Sequence, residues 1–210
     1  YMKHIFLSLL LVISLQVISS HASAQDAEKG KALAGTCIAC HGMDGNSVNP
    51  IWPSIAGQHE KYIERQLHLF KSGERASANM APMVAALSDQ NMKDLAAFFA
   101  SQDMKLKAAD PEMVELGQSI YQGGIKDRNI PACLACHGPT GQGNPLSGYP
   151  KLANQHAAYT VNELKLYRAG RVIEGSDNVN DSIMAEVSKY LSDEEITAVA
   201  SYIQGLQKAK

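Results

Sequence analysis

The sequence predicts an all-α protein made of two tandem copies of one small unit, and three observations predict it. First, "CIACHG" at Cys37 to Gly42 returns as "CLACHG" at Cys133 to Gly138. Second, "WPSIAGQHEKY" (52 to 62) matches "YPKLANQHAAY" (149 to 159), "RQLHLFKSGER" (65 to 75) matches "NELKLYRAGRV" (162 to 172), and "LSDQNMKDLAAFFASQ" (87 to 102) matches "LSDEEITAVASYIQGL" (191 to 206), all in the same order. Third, apolar residues in these segments recur at helical spacing, and strand signals are few. The offset between copies is 96 at the cysteines, 97 in the middle and 104 at the end, so small loop insertions move the register of a duplicated unit.

The chain opens on Lys3 and His4, an apolar run "IFLSLLLVISLQVIS" and the small-residue stretch "HASAQ". This is the pattern of a secretory signal over residues 1–24, cleaved after Ala24; an uncleaved anchor is the alternative reading of the same run. No later stretch approaches the roughly 20 apolar residues that a spanning helix needs, so an exported, soluble protein is expected. Acidic and basic residues are dispersed and the net charge is −2, which leaves no footprint for nucleic acid.

The first unit is expected over residues 25–105 and the second over 106–210, joined near "QDMKLKAADPE". A short helix precedes each box, "DAEKGKALAG" in one and "PEMVELGQSIYQGG" in the other, with Pro111 near the start of the second as a first helical turn prefers. The Gly- and Pro-rich stretches "GMDGNSVNPIWP" and "GPTGQGNPLSGYP" follow as loops, and ordered loops of that length usually wrap something. The middle helix "EKYIERQLHLFKSG" and its partner are expected to stop at Gly73 and Gly170. The closing helices begin at the N-cap candidates Ser88 and Ser192, with acids in the first turn.

The two boxes use all four cysteines of the chain. A disulfide is the plain reading for thiols in an exported protein. The histidine directly after each pair points elsewhere, because Cys-x-x-Cys-His is the attachment sequence of haem c. Two thiols add across the two vinyl groups of one porphyrin, and the adjacent histidine is held beneath the ring to take the iron. A zinc site would require the two copies to share one metal, and a thioredoxin-like pair would require alternating strands and helices. Cys37, Cys40, Cys133 and Cys136 are thus expected to attach two haem c groups, with His41 and His137 on the irons.

A low-spin carrier needs a sixth ligand, and a methionine thioether raises the potential. The first copy offers Met80 and Met83. The repeat separates them: Met184 lies seven residues before Leu191 and Met80 seven before Leu87, whereas Val187 stands in the place of Met83. Met80 and Met184 are therefore the expected ligands. Met83 is left to pack over the haem edge or to substitute if Met80 is lost. Met43, Met92, Met104 and Met113 are expected to fill gaps in the core. His59 and His156 also repeat in register, with Gln58 and Gln155; a structural or surface role is favoured over bis-histidine ligation, and His68 reads as a helix-surface residue. Pro50 and Pro145 are expected to offer the carbonyls that orient the iron histidines. Trp52 and Tyr149 either give a polar tip to a haem propionate or simply pack.

With these boxes, the "WP-x-x-AGQH" and "YP-x-LANQH" segments, "MAPMVAALSD", "IMAEVSKYLSD" and "ASYIQGLQ" in order and spacing, the sequence resembles the dihaem cytochromes c of the cytochrome c4 family over essentially all of residues 25–210. The resemblance implies two class I cytochrome c domains related by an approximate twofold, haems facing each other near the interface, and axial pairs His41 with Met80 and His137 with Met184. It implies a periplasmic, non-enzymatic electron carrier, with a quinol-oxidising cytochrome complex as donor and a haem-copper oxidase as acceptor; loose membrane association stays open. The first methionine segment departs from the second, Gly73 to Met80 being seven residues shorter than Gly170 to Met184. Two rivals remain: the cytochrome subunit of a dehydrogenase, and a dihaem peroxidase, which needs one iron able to open a coordination site.

Overall fold

The computed structural model describes residues 25–171 and 179–207, so the expected signal segment lies outside the described residues. Ten α-helices run through these residues as two sets of five. The first set is α1 (Ala27–Leu33), α2 (Ile38–His41), α3 (Glu60–Ser72), α4 (Met80–Val84) and α5 (Asp89–Ala100). The second is α6 (Val114–Gly123), α7 (Leu134–His137), α8 (Ala157–Arg168), α9 (Asn180–Ser188) and α10 (Asp193–Gly205). Among the described residues the only sheet-like pairings are the isolated bridges Ile125 with Ile130 and Asn144 with Tyr149. No described helix is long and apolar enough to cross a membrane.

Local chemistry sets the helix limits. Ser88 and Ser192 each accept from the backbone N–H three residues on, and Asn91 and Glu195 reach back to the cap N–H, so both closing helices start in a capping box. Gly73 closes α3 in the left-handed conformation that a residue without Cβ adopts freely. In the second set α8 ends one residue sooner, at Arg168, and Gly170 follows the Ala169 cap. Asp110 caps the 3₁₀ turn Pro111–Met113 that leads into α6. The short helices α4 and α9 were not expected from sequence.

Each set builds its own core. Ile63, Leu95, Ala96, Phe98 and Phe99 pack with Ala34 in the first; Ile120, Tyr121, Ile130, Leu191, Ile196, Val199 and Ile203 pack in the second. The second box is pinned to the core of its own half: Tyr121, fully buried on α6, donates to the Gly138 carbonyl at 2.7 Å. Met92 is buried as expected, and Met104 and Met113 are half-buried. Met43 corrects the expectation: it is 80% exposed, because it follows Gly42, whose positive φ turns the chain outward at the end of α2.

Residues 102–110 join the halves as an extended strap. Asn46 donates to the Asp103 carbonyl and accepts from the Lys105 N–H, while Asn154 accepts from the Lys107 N–H. The halves then meet through reciprocal contacts, as a twofold relation requires. Gln58 pairs with the Lys151 backbone and Gln155 with that of Ser54, positions equivalent in the repeat. His59 Nε2 bonds the Gln142 carbonyl at 2.9 Å and His156 Nε2 the Ser47 carbonyl at 2.8 Å. Two ion pairs flank them, Arg65 with Asp181 at 2.8 Å and Arg75 with Glu163 at 3.0 Å.

Candidate haem sites

Each box folds as a single helical turn. Cys37 caps α2 and Cys40 and His41 lie on it; Cys133 caps α7 and Cys136 and His137 lie on it. Residues three apart on a helix share a face, so the two thiols of each box present together and the histidine follows on the next position. No disulfide joins any of the four cysteines. Among the described residues no three His, Cys, Asp or Glu side chains converge as a metal cluster.

The histidines are buried, 7% and 6% exposed, and each is oriented by one carbonyl. His41 Nδ1 lies 2.9 Å from the Pro53 oxygen and His137 Nδ1 3.0 Å from the Pro150 oxygen. A carbonyl only accepts, so Nδ1 carries the proton and Nε2 is the nitrogen left for a metal. These acceptors correct the expected Pro50 and Pro145, both of which are exposed on the loops. Distance along the chain misled: Pro53 and Pro150 stand in register in the repeat, and Pro50 and Pro145 do not.

Burial lowers the pKa of both histidines, with the proline carbonyls opposing it, which favours the neutral imidazole that ligates iron. Burial also pushes the Cys133 thiol up to about 11 and raises that of Cys37. The loops hold the boxes from behind: Ser47 Oγ donates to the Cys40 carbonyl at 2.9 Å, and the Gly143 N–H to the His137 carbonyl at 2.9 Å. Tyr149 lies beside His137, ring centroids 6.1 Å apart, and Trp52 is half-buried.

Met80 opens α4, where its N–H bonds Ser77 Oγ, and Met184 lies within α9; both are half-buried, and α4 and α9 pack on α3 and α8. Met83 is 45% exposed on α4. His59 and His156 are structural, tied to carbonyls of the opposite half, and His68 sits on the surface of α3 near Glu64 and Asp89. Sequence reasoning missed the cross-half role of Gln58 and Gln155, although their repeat in register was the signal.

Two thiols and a neutral histidine with one free ring nitrogen, built twice, are a donor set that fits covalent haem c. Fold and sites together define a tandem c-type cytochrome, and the family model described as cytochrome c matches residues 27–103 and 114–207. The chain is 43% identical to cytochrome c4 of Pseudomonas aeruginosa over 206 residues, covering 98% of this chain and 100% of that one. A solved structure, that of reduced recombinant cytochrome c4 from Pseudomonas stutzeri, superposes with a TM-score of 0.82 at 43% identity, covering 88% of this chain and 100% of the other. A protein of Stutzerimonas stutzeri named thiosulfate dehydrogenase electron acceptor is 35% identical over 200 residues, 90% of each chain. The chain belongs to the cytochrome c4 family: a dihaem electron-transport protein with covalently attached haem c.

Proposed function

We propose that the chain is a periplasmic shuttle for single electrons, with haem 1 on Cys37 and Cys40 in a domain over 25–105 and haem 2 on Cys133 and Cys136 in a domain over 106–210. His41 with Met80 would hold the first iron and His137 with Met184 the second. The observation that carries this reading is the duplicated histidine geometry, Nδ1 committed to a proline carbonyl and Nε2 left over. When bound, each haem supplies a one-electron ferric–ferrous couple. The chain's own groups hold the ligand set constant: the Pro53 and Pro150 carbonyls fix the imidazoles, burial keeps water away, and the loops brace the boxes. With Met80 and Met184 as further ligands, neither iron would offer a site to a substrate, and the chain would carry electrons without transforming a molecule. Residues 1–24 direct export, and the partners are a quinol-oxidising cytochrome complex as donor and a haem-copper oxidase as acceptor.

The far-red methionine-to-iron band of the ferric protein, scaled to haem per chain, tests the ligands. Met80→Ala and Met184→Ala should each remove half of it and Met83→Ala none; a band at half intensity in the parent chain, or a high-spin haem, would sink the assignment.

A second reading, the electron-accepting cytochrome of a dehydrogenase, is favoured by the likeness to the thiosulfate dehydrogenase electron acceptor. Rapid-mixing reduction by a purified thiosulfate dehydrogenase, compared with reduction by a quinol-oxidising complex, separates the two donors.

A further inference from the structure

The carbonyls that receive the two histidines belong to peptide groups also held by the opposite half. The Pro53 carbonyl and the Ser54 N–H are the two ends of one peptide unit. Its oxygen lies 2.9 Å from His41 Nδ1, its N–H donates to Gln155 Oε1 at 2.9 Å, and Gln155 Nε2 donates back to the Ser54 carbonyl at 2.8 Å. The second half repeats the arrangement in reverse. The Pro150 oxygen lies 3.0 Å from His137 Nδ1, the Lys151 N–H donates to Gln58 Oε1 at 2.9 Å, and Gln58 Nε2 donates to the Lys151 carbonyl at 2.9 Å. Both glutamines are buried, and each amide oxygen also accepts from the N–H of the next residue, His59 or His156. The rings of those two histidines are in turn tied across the contact, so neither glutamine is free to turn away.

We propose that Gln58 and Gln155 are cross-half positioning residues: each polarises the peptide that receives the other half's iron histidine and so sets that haem's reduction potential. The inference rests on the ligation by His41 and His137 proposed above. An acceptor at the N–H end of a peptide draws electron density onto its carbonyl oxygen, and bonds in such a chain strengthen one another. The stronger acceptor pulls on the Nδ1 proton and leaves the imidazole more basic at Nε2, which favours ferric iron. Each potential therefore depends on a residue of the half that does not contain the haem.

The test uses the full chain loaded with haem and labelled with ¹⁵N-histidine. Hydrogen exchange at the two Nδ1 positions is followed in the reduced protein, and the two potentials are resolved in a redox titration read by the haem resonances. Gln155→Ala should speed exchange at His41 and shift the first haem alone toward the ferrous form by roughly tenfold, about 59 mV for one electron. Gln58→Ala should do the same at His137 and the second haem alone. Gln155→Glu keeps the acceptor oxygen and adds charge, so it should move the first potential in the opposite direction, which simple loosening of the contact does not do. Equal shifts at both haems from either variant, or unchanged exchange and potentials, would overturn the proposal. The parent chain separates its failure from that of the ligand reading. If the ring resonances of His41 and His137 are not shifted by iron there, the ligation itself is wrong; if they are and the variants change nothing, only the cross-half role falls.

Discussion

Gly30 is required because α1 crosses α5 at that point: a Cβ there would stand 1.9 Å from the Asp94 carbonyl oxygen and 2.9 Å from Phe98 Cβ. Gly117 does the same for α6 on α10, where a Cβ would lie 2.3 Å from the Ala198 oxygen and 2.7 Å from Tyr202 Cβ. Two backbones in contact cannot yield as a side chain can, so overpacking here forces the helices apart. Gly30→Ala should cost about 1–3 kcal/mol of stability in thermal unfolding of the haem-loaded protein; an unchanged transition would show that the crossing relaxes freely. The boxes were legible because their chemistry fixes both residue types and spacing. The glycine pair was not, although it is just as equivalent. Gly30 lies seven residues before Cys37 and Gly117 sixteen before Cys133, because the second half inserts the turn built on the Ile125–Ile130 bridge. The proline acceptors failed for a related reason: a hydrogen bond across a folded loop has no fixed distance along the chain, and only the repeat register carries its trace.

Helices announced by caps and period were readable in advance, and those held only by docking were not. α4 has five residues and α9 nine, too few to show a period, and neither has a side-chain N-cap. α10 is the opposite case, its first turn secured by the Ser192 box and by charges from other elements. Asp193 meets Arg168 at 2.5 Å and Lys165 at 3.2 Å, and Glu195 pairs with Arg128. Ser192→Ala should cost about 1 kcal/mol, read as a lowered denaturant midpoint with an unchanged slope. Arg168 and then Lys165 lower the Asp193 pKa; at Glu195 partial burial raises it, and Arg128 and the Ser192 bonds outweigh that. A depressed carboxylate stabilises the fold above its unfolded value and loses that contribution as the pH falls through the lower folded one. Acid should therefore begin to weaken the α10 start near the ordinary carboxylate range, about pH 4. Arg168→Leu should reduce that dependence, as followed by circular dichroism across the acid range.

The whole molecule consists of two apolar cores joined by a largely polar contact, and this makes the joint the part most sensitive to solution conditions. Its reciprocal histidines donate Nε2–H to carbonyls of the opposite half, and the pKa of each is lowered. Burial is the main cause for both. The accepted carbonyls oppose it, and Lys151 near His59 and Lys107 near His156 add to it. Released from the contact, these rings take up a proton near pH 6.5, whereas in place they resist it. The separated state then binds more protons, so the contribution of the joint is full above about pH 6.5 and declines as the pH falls below it. On the ligation proposed above, His41 and His137 are held by iron and take up no proton in this range, which leaves the joint to dominate the response. The haem-loaded chain should unfold in one calorimetric transition near pH 7.5 and in two near pH 5, one for each core. Replacing His59 and His156 by Gln should bring the two profiles closer together, since the amide has no proton to gain. A single transition at both pH values, with heat matching the van't Hoff value, would show instead that the glutamine pairs and the ion pairs hold the halves together without the histidines.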